Sequence, residues 1–243
     1  MLMLTRPRFG LLVAPEGVQV ADLRRRQPLP AAPDLPQAIA GLEGSRALLD
    51  IVVSDAHCRY LVVDRPSGLR TVAELEAAAQ SRFKAVFGDR GAWSVKLGAS
   101  AFGGADFAAA VDKDMLARLS AEALAAGLRL VSIRPHWVAW AARLRRTLRR
   151  GAHWLVCAEG AWVSLGYIDQ GQCRHVRVLR LEAGGADVQS LLARERAFVE
   201  HADPVAPVWL CGGGAATAAR SGAEPKTTVL RAGVLWGTVE ASP

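Results

Sequence analysis

Ala110 to Pro135 reads A-V-D-K-D-M-L-A-R-L-S-A-E-A-L-A-A-G-L-R-L-V-S-I-R-P. The stretch opens on the tail of an apolar run, Phe107 to Val111, which reads as a buried strand. Asp112 and Lys113 then begin a helix that the spacing carries to Ala126. Gly127 ends it, because glycine takes the left-handed backbone of a helix C-terminus without steric cost. Leu128 to Arg134 is apolar again and reads as a second strand. Pro135 starts a further helix, expected to run to about Arg149 before Gly151 breaks it. A strand, a helix and a strand in immediate succession point to the α/β class.

Downstream, the pattern changes to period-two alternation. His153 to Ala158, Ala161 to Ile168 and Cys173 to Leu181 read as three antiparallel strands, turned at Gly160 and at Asp169-Gln170-Gly171-Gln172. Ala186 to Glu200 reads as a helix. Val205 to Cys211 is a strand that runs straight into Gly212, Gly213 and Gly214, and Thr227 to Val239 is a short last element. Upstream, Phe9 to Leu23 reads as two strands around Pro15-Glu16-Gly17. Gln27 to Pro36 is proline-rich and reads as a loop, with a short helix over Pro36 to Leu42. Ala47 to Val53 and Arg59 to Val63 read as strands around Ser54 to Cys58. Thr71 to Phe87 is a helix with a capping box at Thr71 and Glu74, one apolar face (Val72, Leu75, Ala79, Phe83, Val86) and Gly88 at its end. Trp93 to Leu97 alternates as another strand.

The 243 residues, 51% of them hydrophobic, suffice for a sizeable core in one large domain or two small lobes. The net charge is +7, carried almost entirely by arginine. Cys58, Cys157, Cys173 and Cys211 show no C-x-x-C spacing and sit in apolar segments, so they read as buried thiols of a reducing compartment. The apolar run after Arg6 and Arg8 is too short for a signal-peptide core, and no apolar stretch approaches the ~20 residues that span a bilayer. These readings imply a cytoplasmic protein that reaches a membrane only through a partner.

The order of elements resembles the PilM-type actin-like proteins and the cytoplasmic domain of the type II secretion protein GspL, members of the actin and sugar-kinase superfamily. The resemblance rests on the Ala110–Pro135 segment, on the meander from His153 to Leu181, and on the strand ending in G-G-G-A at Cys211 to Ala215. It implies an α/β, actin-like (ribonuclease H-like) fold of two lobes, reduced in size. Lobe one would cover residues 1–104, with an inserted small subdomain, and lobe two residues 105–243, with the lobes meeting near Arg65–Gly104. In the family, two hairpin turns and the Gly-rich turn hold a nucleotide. Gly212, Gly213 and Gly214 are therefore the cofactor-binding candidates if ATP is bound.

The chain departs from that pattern at both phosphate loops. The first hairpin reads G-L-L-V-A-P-E-G, with Glu16 in the turn where nucleotide-hydrolysing members carry an Asp on the strand. The second reads L-V-C-A-E-G-A-W-V-S, with Cys157 in place of the expected Asp and Trp162 crowding the turn. A Mg²⁺–phosphate site needs carboxylate oxygens for the metal and small residues around the phosphates. The expectation is hence a non-enzyme with no catalytic residue, no metal and no cofactor. It would be an adaptor or scaffold of a bacterial type IV pilus or type II secretion platform, peripheral to the inner membrane. The resemblance implies that it binds the cytoplasmic tail of a membrane partner in a groove near Asp50 to Val63 and the helix from Thr71, with Tyr60, Leu61 and Phe83 as contacts. A homodimer fits as well. The alternatives are an ATP-binding actin-like protein with divergent loops, and a sugar-kinase-like enzyme using Asp112 or Asp114, which read as a plain helix N-terminus.

Other chemistry is weaker. His57 and Cys58 are adjacent on a strand, so their side chains point apart and form no dyad. His153 and His175 read as a cross-strand pair, and the five histidines show no metal-ligand spacing. Arg143, Arg145, Arg146, Arg149 and Arg150 make a basic run whose apolar face (Trp137, Trp140, Leu144, Leu148) packs inward. Its basic face suits solvent, lipid or an acidic partner; no reading helix or stacking platform accompanies it, so nucleic acid is not an expected partner.

Overall fold

Two five-stranded sheets repeat one topology. In the first, β1 (Arg8–Ala14), β2 (Gly17–Asp22) and β3 (Gln27–Ala32) form an antiparallel meander. Two parallel strands, β4 (Leu48–Val53) and β8 (Arg129–Pro135), extend it on the β1 side, giving the order β3-β2-β1-β4-β8. In the second, β9 (Ala152–Glu159), β10 (Trp162–Asp169) and β11 (Gln172–Arg180) form the meander. Parallel β12 (Val208–Gly212) and β13 (Thr227–Leu230) extend that one, giving β11-β10-β9-β12-β13. The computed structural model describes residues 6–42, 46–63, 71–88, 93–98, 107–181, 188–212 and 227–230.

A third, antiparallel sheet is inserted between β4 and β8: β5 (Cys58–Val62), β6 (Trp93–Leu97) and β7 (Phe107–Asp112), in the order β5-β7-β6. Its face is covered by α2 (Val72–Phe87), which buries Leu75, Ala79 and Phe83 against Val63, Ala108 and Ala110. The capping box forms as the sequence predicts: Glu74 N–H donates to Thr71 Oγ1 at 3.2 Å, and Thr71 N–H donates to Glu74 Oε2 at 3.0 Å.

The strand pairing moves the expected division of the chain. β8 pairs with β4 in the first sheet, and β7 pairs with β5 and β6. Residues 107–135 therefore complete the sheets begun upstream, and the change to the second large sheet falls between Pro135 and Ala152 rather than at 104/105. The strand–helix–strand unit is β7, α3 (Lys113–Ala125) and β8, and its two strands serve different sheets.

Two further expectations are corrected. Gln27 to Ala32 is strand rather than loop. Its prolines are tolerated because β3 is an exposed edge, where a missing N–H breaks no inner ladder and discourages further pairing. The helix after Pro135 is interrupted at Leu144, giving α4 (His136–Arg143) and a single-turn α5 (Arg145–Leu148). α4 lies between the two large sheets and buries Trp137 and Trp140 completely, with Leu144 and Leu148 continuing the same apolar face. Trp137 fits because Gly166 faces it on β10; a Cβ there would run into the indole ring. The remaining helices are α1 (Leu35–Ala40), started by Asp34 whose carboxylate accepts from Gln37 N–H at 2.9 Å, and α6 (Val188–Phe198).

Candidate functional site

The apolar strands β4 and β8 run parallel and end side by side, with Val53 opposite Pro135. At the carboxyl end of β4, Ser54 caps a 3-10 turn, Asp55–His57, by accepting from Ala56 N–H at 3.2 Å. At the end of β8, Pro135 leads into His136. The β9–β10 hairpin brings Glu159 to the same place. In open α/β sheets, polar groups gathered at strand carboxyl ends are where ligands usually bind.

Asp55 and His136 are buried and Glu159 is nearly so, with the ligand-type atoms of all three within 4.8 Å of one another. Trp137 N–H donates to both Asp55 oxygens, at 3.2 Å and 3.0 Å, and the Tyr60 hydroxyl donates to Oδ1. Asp55 N–H donates in turn to Glu159 Oε2 at 3.2 Å, and His136 Nδ1 faces that same oxygen at 3.3 Å. Burial, then the charge on Glu159, pushes the Asp55 carboxyl up to about 6, against the pull of His136 and the Tyr60 and Ser164 hydroxyls. Burial also disfavours the Glu159 charge, but His136, Ser54 and the Asp55 N–H outweigh it and hold this carboxyl below its usual range. For His136, burial opposes the charge, and Glu159 followed by Asp55 overcomes it and raises the pKa. Trp140 Nε1–H donates to His136 Nε2 at 3.0 Å, so the neutral ring carries its proton on Nδ1.

That tautomer argues against a cation here. The one nitrogen turned toward the carboxylates is the protonated one, and Asp55 already accepts three hydrogen bonds. The cluster instead ties the turn after β4 to the helix after β8 and to the β9–β10 hairpin.

Above the cluster the two hairpin turns meet. Glu16, in the β1–β2 turn, extends over Gly160 of the β9–β10 turn so closely that a Cβ on Gly160 would run into its carboxylate. Gly160 is in the left-handed region at φ 52°. The space between these two turns thus carries a carboxylate, the group that repels a phosphate. Gly212 also has a local reason to be glycine. Its φ is 122°, and a Cβ would strike the backbone carbonyl of Ala158 on β9, its pairing partner. Gly213 and Gly214 lie outside the described residues.

A cleft of about 420 Å³ opens on the other side of the 3-10 turn, lined by Ala56, His57, Trp93, Asp112, Asp114, Met115 and Arg118. It separates the small sheet from α3. Arg59 stacks its guanidinium 5.5 Å from the centre of the Trp93 ring. Burial, then the Arg118 charge, lowers the His57 pKa. Asp112 caps α3, accepting from Met115 N–H at 2.9 Å, as a plain helix start does.

The structure buries two of the three expected contact residues. Tyr60 is buried, holds Asp55 and stacks on Phe107 at 5.5 Å. Phe83 is buried in the core under α2, and Leu61 is half-buried against that core. None of the three lines the cleft, which draws on Ala56 and His57 from the expected strand pair but not on α2. His153 and His175 are not a pair either: β10 runs between their strands. His153 Nε2 meets the Arg150 carbonyl at 2.7 Å, and His175 Nε2 meets Glu195 Oε2 at 3.0 Å. The cluster at Asp55, His136 and Glu159 went unrecognised in the sequence. Its signal was a polar residue directly after each of two apolar strands, S-D-A-H and P-H-W.

No family model matches the chain, and no curated protein resembles it in sequence. Solved structures do share its fold. The PilM–PilN type IV pilus biogenesis complex aligns over 85% of this chain and 81% of that one, at 15% identity and a TM-score of 0.59. A protein with an actin-like ATPase fold and unknown function from Bacteroides thetaiotaomicron aligns over 86% and 83%, at 9% identity and a TM-score of 0.57. The cytoplasmic domain of EpsL, an inner membrane component of the type II secretion system of Vibrio cholerae, aligns over 84% and 81%, at 11% identity and a TM-score of 0.52.

Proposed function

Starting from the actin-like fold of this chain, we propose that it is a non-catalytic adaptor of a type IV pilus or type II secretion platform, cytoplasmic and peripheral to the inner membrane, which binds the cytoplasmic segment of a membrane partner. The observation that carries this reading is the meeting of the two hairpin turns, with the Glu16 carboxylate over Gly160. A carboxylate there opposes a nucleotide's phosphates by charge and fills the space between the loops. Binding of a partner then remains as the use of the fold. Likeness to PilM, solved as a complex with PilN, and to the EpsL cytoplasmic domain supports it.

The cleft beside the 3-10 turn is where the partner segment binds. Trp93 and Met115 offer an apolar floor, and Asp112 and Asp114 offer negative charge at one wall. Cytoplasmic segments next to a membrane span are enriched in Lys and Arg, which those carboxylates attract. No helix among the described residues is long and apolar enough to cross a membrane, and attachment would run through this segment.

A pull-down from a bacterial inner-membrane extract tests the proposal, using the wild type, Asp114→Lys and Trp93→Ala. A single-pass protein with a short basic cytoplasmic segment should be captured by the wild type and lost with either variant. Recovery of soluble enzymes alone, or capture that both variants leave unchanged, would sink the reading.

A further inference from the structure

The net charge of the chain is concentrated in one segment. Between Ala123 and Arg180 stand ten arginines and two carboxylates, Glu159 and Asp169, while the rest of the chain carries twenty basic and twenty-one acidic side chains. An ordinary surface interleaves the two signs, so segregation on this scale sets one part of the molecule apart. Some of the ten are answered. Arg134 faces Asp50 at 3.8 Å, Arg177 faces the buried Glu195 at 3.5 Å, and Arg180 lies over the Trp162 ring. Arg145, Arg146, Arg149 and Arg150 are exposed, and none forms an ion pair among the described residues.

The fold gathers these four and holds them. α4 and α5 turn Trp137, Trp140, Leu144 and Leu148 into the core, which leaves Arg145, Arg146 and, one turn on, Arg149 and Arg150 outside. The β10–β11 turn is pinned against them: Gln170 N–H donates to the Gly151 carbonyl at 2.9 Å, and a Cβ on Gly171 would lie 3.3 Å from Arg149 Cα. Arg174, bulged out of β11 just past that turn, is exposed and adds a guanidinium with no ion pair among the described residues. Asp169, Glu200 and Asp203 lie at the same end of the second sheet. Glu200 faces His201 at 3.9 Å, Asp203 accepts from Val205 N–H at 2.9 Å, and none of the three pairs with these arginines. β9 separates this end from Glu159 and the hairpin turns by about 23 Å of strand rise. The unpaired arginines therefore stand at one end of the second sheet, and the Asp55–Glu159 cluster and Glu16 at the other.

We propose that this face, centred on Arg145, Arg146, Arg149 and Arg150, rests directly on an anionic bilayer surface. A cluster of four or more basic side chains on one face is what a plane of lipid phosphates attracts, with no pocket required. The apolar side of α4 and α5 is already packed in the core, so the attachment is electrostatic and does not insert. The tryptophans of α4, on which the bases of a nucleic acid would stack, are buried. Salt abolishes such an attachment, because the field of these charges reaches about 10 Å at ~0.1 M and only about 3 Å at ~1 M. The inference goes beyond the adaptor reading and does not depend on it: the ligand is lipid, and the face lies away from the cleft at Trp93.

Flotation of the purified protein with vesicles of phosphatidylcholine, with and without phosphatidylglycerol, tests it. Binding should require phosphatidylglycerol and should be lost at ~1 M salt. Arg145→Gln with Arg146→Gln, and Arg149→Gln with Arg150→Gln, should each weaken binding roughly 25-fold, about fivefold for each charge removed. Arg82→Gln with Lys84→Gln takes equal charge from the exposed side of α2 and should change binding less than about threefold. All four arginines are exposed, and either pair answers should the other misfold. Binding to phosphatidylcholine alone, no binding to phosphatidylglycerol, or an equal loss from the α2 pair would overturn the inference. Tighter binding to single-stranded RNA or to polyglutamate than to the vesicles, weakened by the same variants, would also overturn it and assign the face to a nucleic acid or an acidic protein. None of these results bears on the pull-down at the Trp93 cleft, so the two readings fail separately.

Discussion

Asp55→Asn should make the protein's stability less sensitive to pH, and the structure fixes both sign and size. The buried Asp55 carboxyl is pushed from 3.8 up to about 6 by its burial and by Glu159. A folded-state value above the unfolded one means the folded state holds the proton more tightly. Its stabilisation is therefore present below the unfolded value and lost as pH rises through about 6. The whole swing is roughly 3 kcal/mol, of which about 2 kcal/mol falls between pH 7 and pH 4.5. Asparagine cannot titrate, yet it still offers an oxygen to Trp137 N–H. Removing Asp55 also withdraws part of the support for charge on His136, which acts in the same direction. Urea unfolding of wild type and variant at both pH values gives the test. The wild type should gain about 2 kcal/mol over the variant on going from pH 7 to pH 4.5. A difference that stays flat, or grows with rising pH, would refute the buried-cluster reasoning.

Gly166→Ala should push a methyl group into the Trp137 indole and cost about 1–3 kcal/mol, seen as a lower urea midpoint with an unchanged slope. Gly212→Ala combines φ 122° with a collision against the Ala158 carbonyl and should cost about 1–3 kcal/mol; an unchanged midpoint would remove the structural reason given for that glycine. Thr71→Ala removes the capping box of α2 and should cost about 1 kcal/mol, with faster amide exchange confined to the first turn of that helix.

Where the signal is local, the sequence was sufficient. Thr71 and Glu74 cap a helix by contacts three residues apart, and the alternation from His153 to Leu181 needs only one buried face to make a meander. Proline chemistry misled at Gln27 to Ala32, because an exposed edge relaxes the rule that a central strand enforces. Sheet membership was the larger gap. β4 and β5 are five residues apart yet lie in different sheets, while β4 pairs with β8 across 80 residues of chain. Apolar character could not tell Tyr60 and Phe83 in the core from a docking surface. Asp55, His136 and Glu159 come from three segments and meet only once the strand ends are aligned, so no spacing within the chain announces them.

Titration calorimetry with ATP and Mg²⁺, joined to thermal unfolding in the same buffers, bears most directly on the claim that the hairpin turns have closed against nucleotide. The account predicts no saturable heat and no rise in the unfolding midpoint. Saturable binding of ATP with Mg²⁺-dependent stabilisation would contradict it and return the protein to the nucleotide-binding members of its fold.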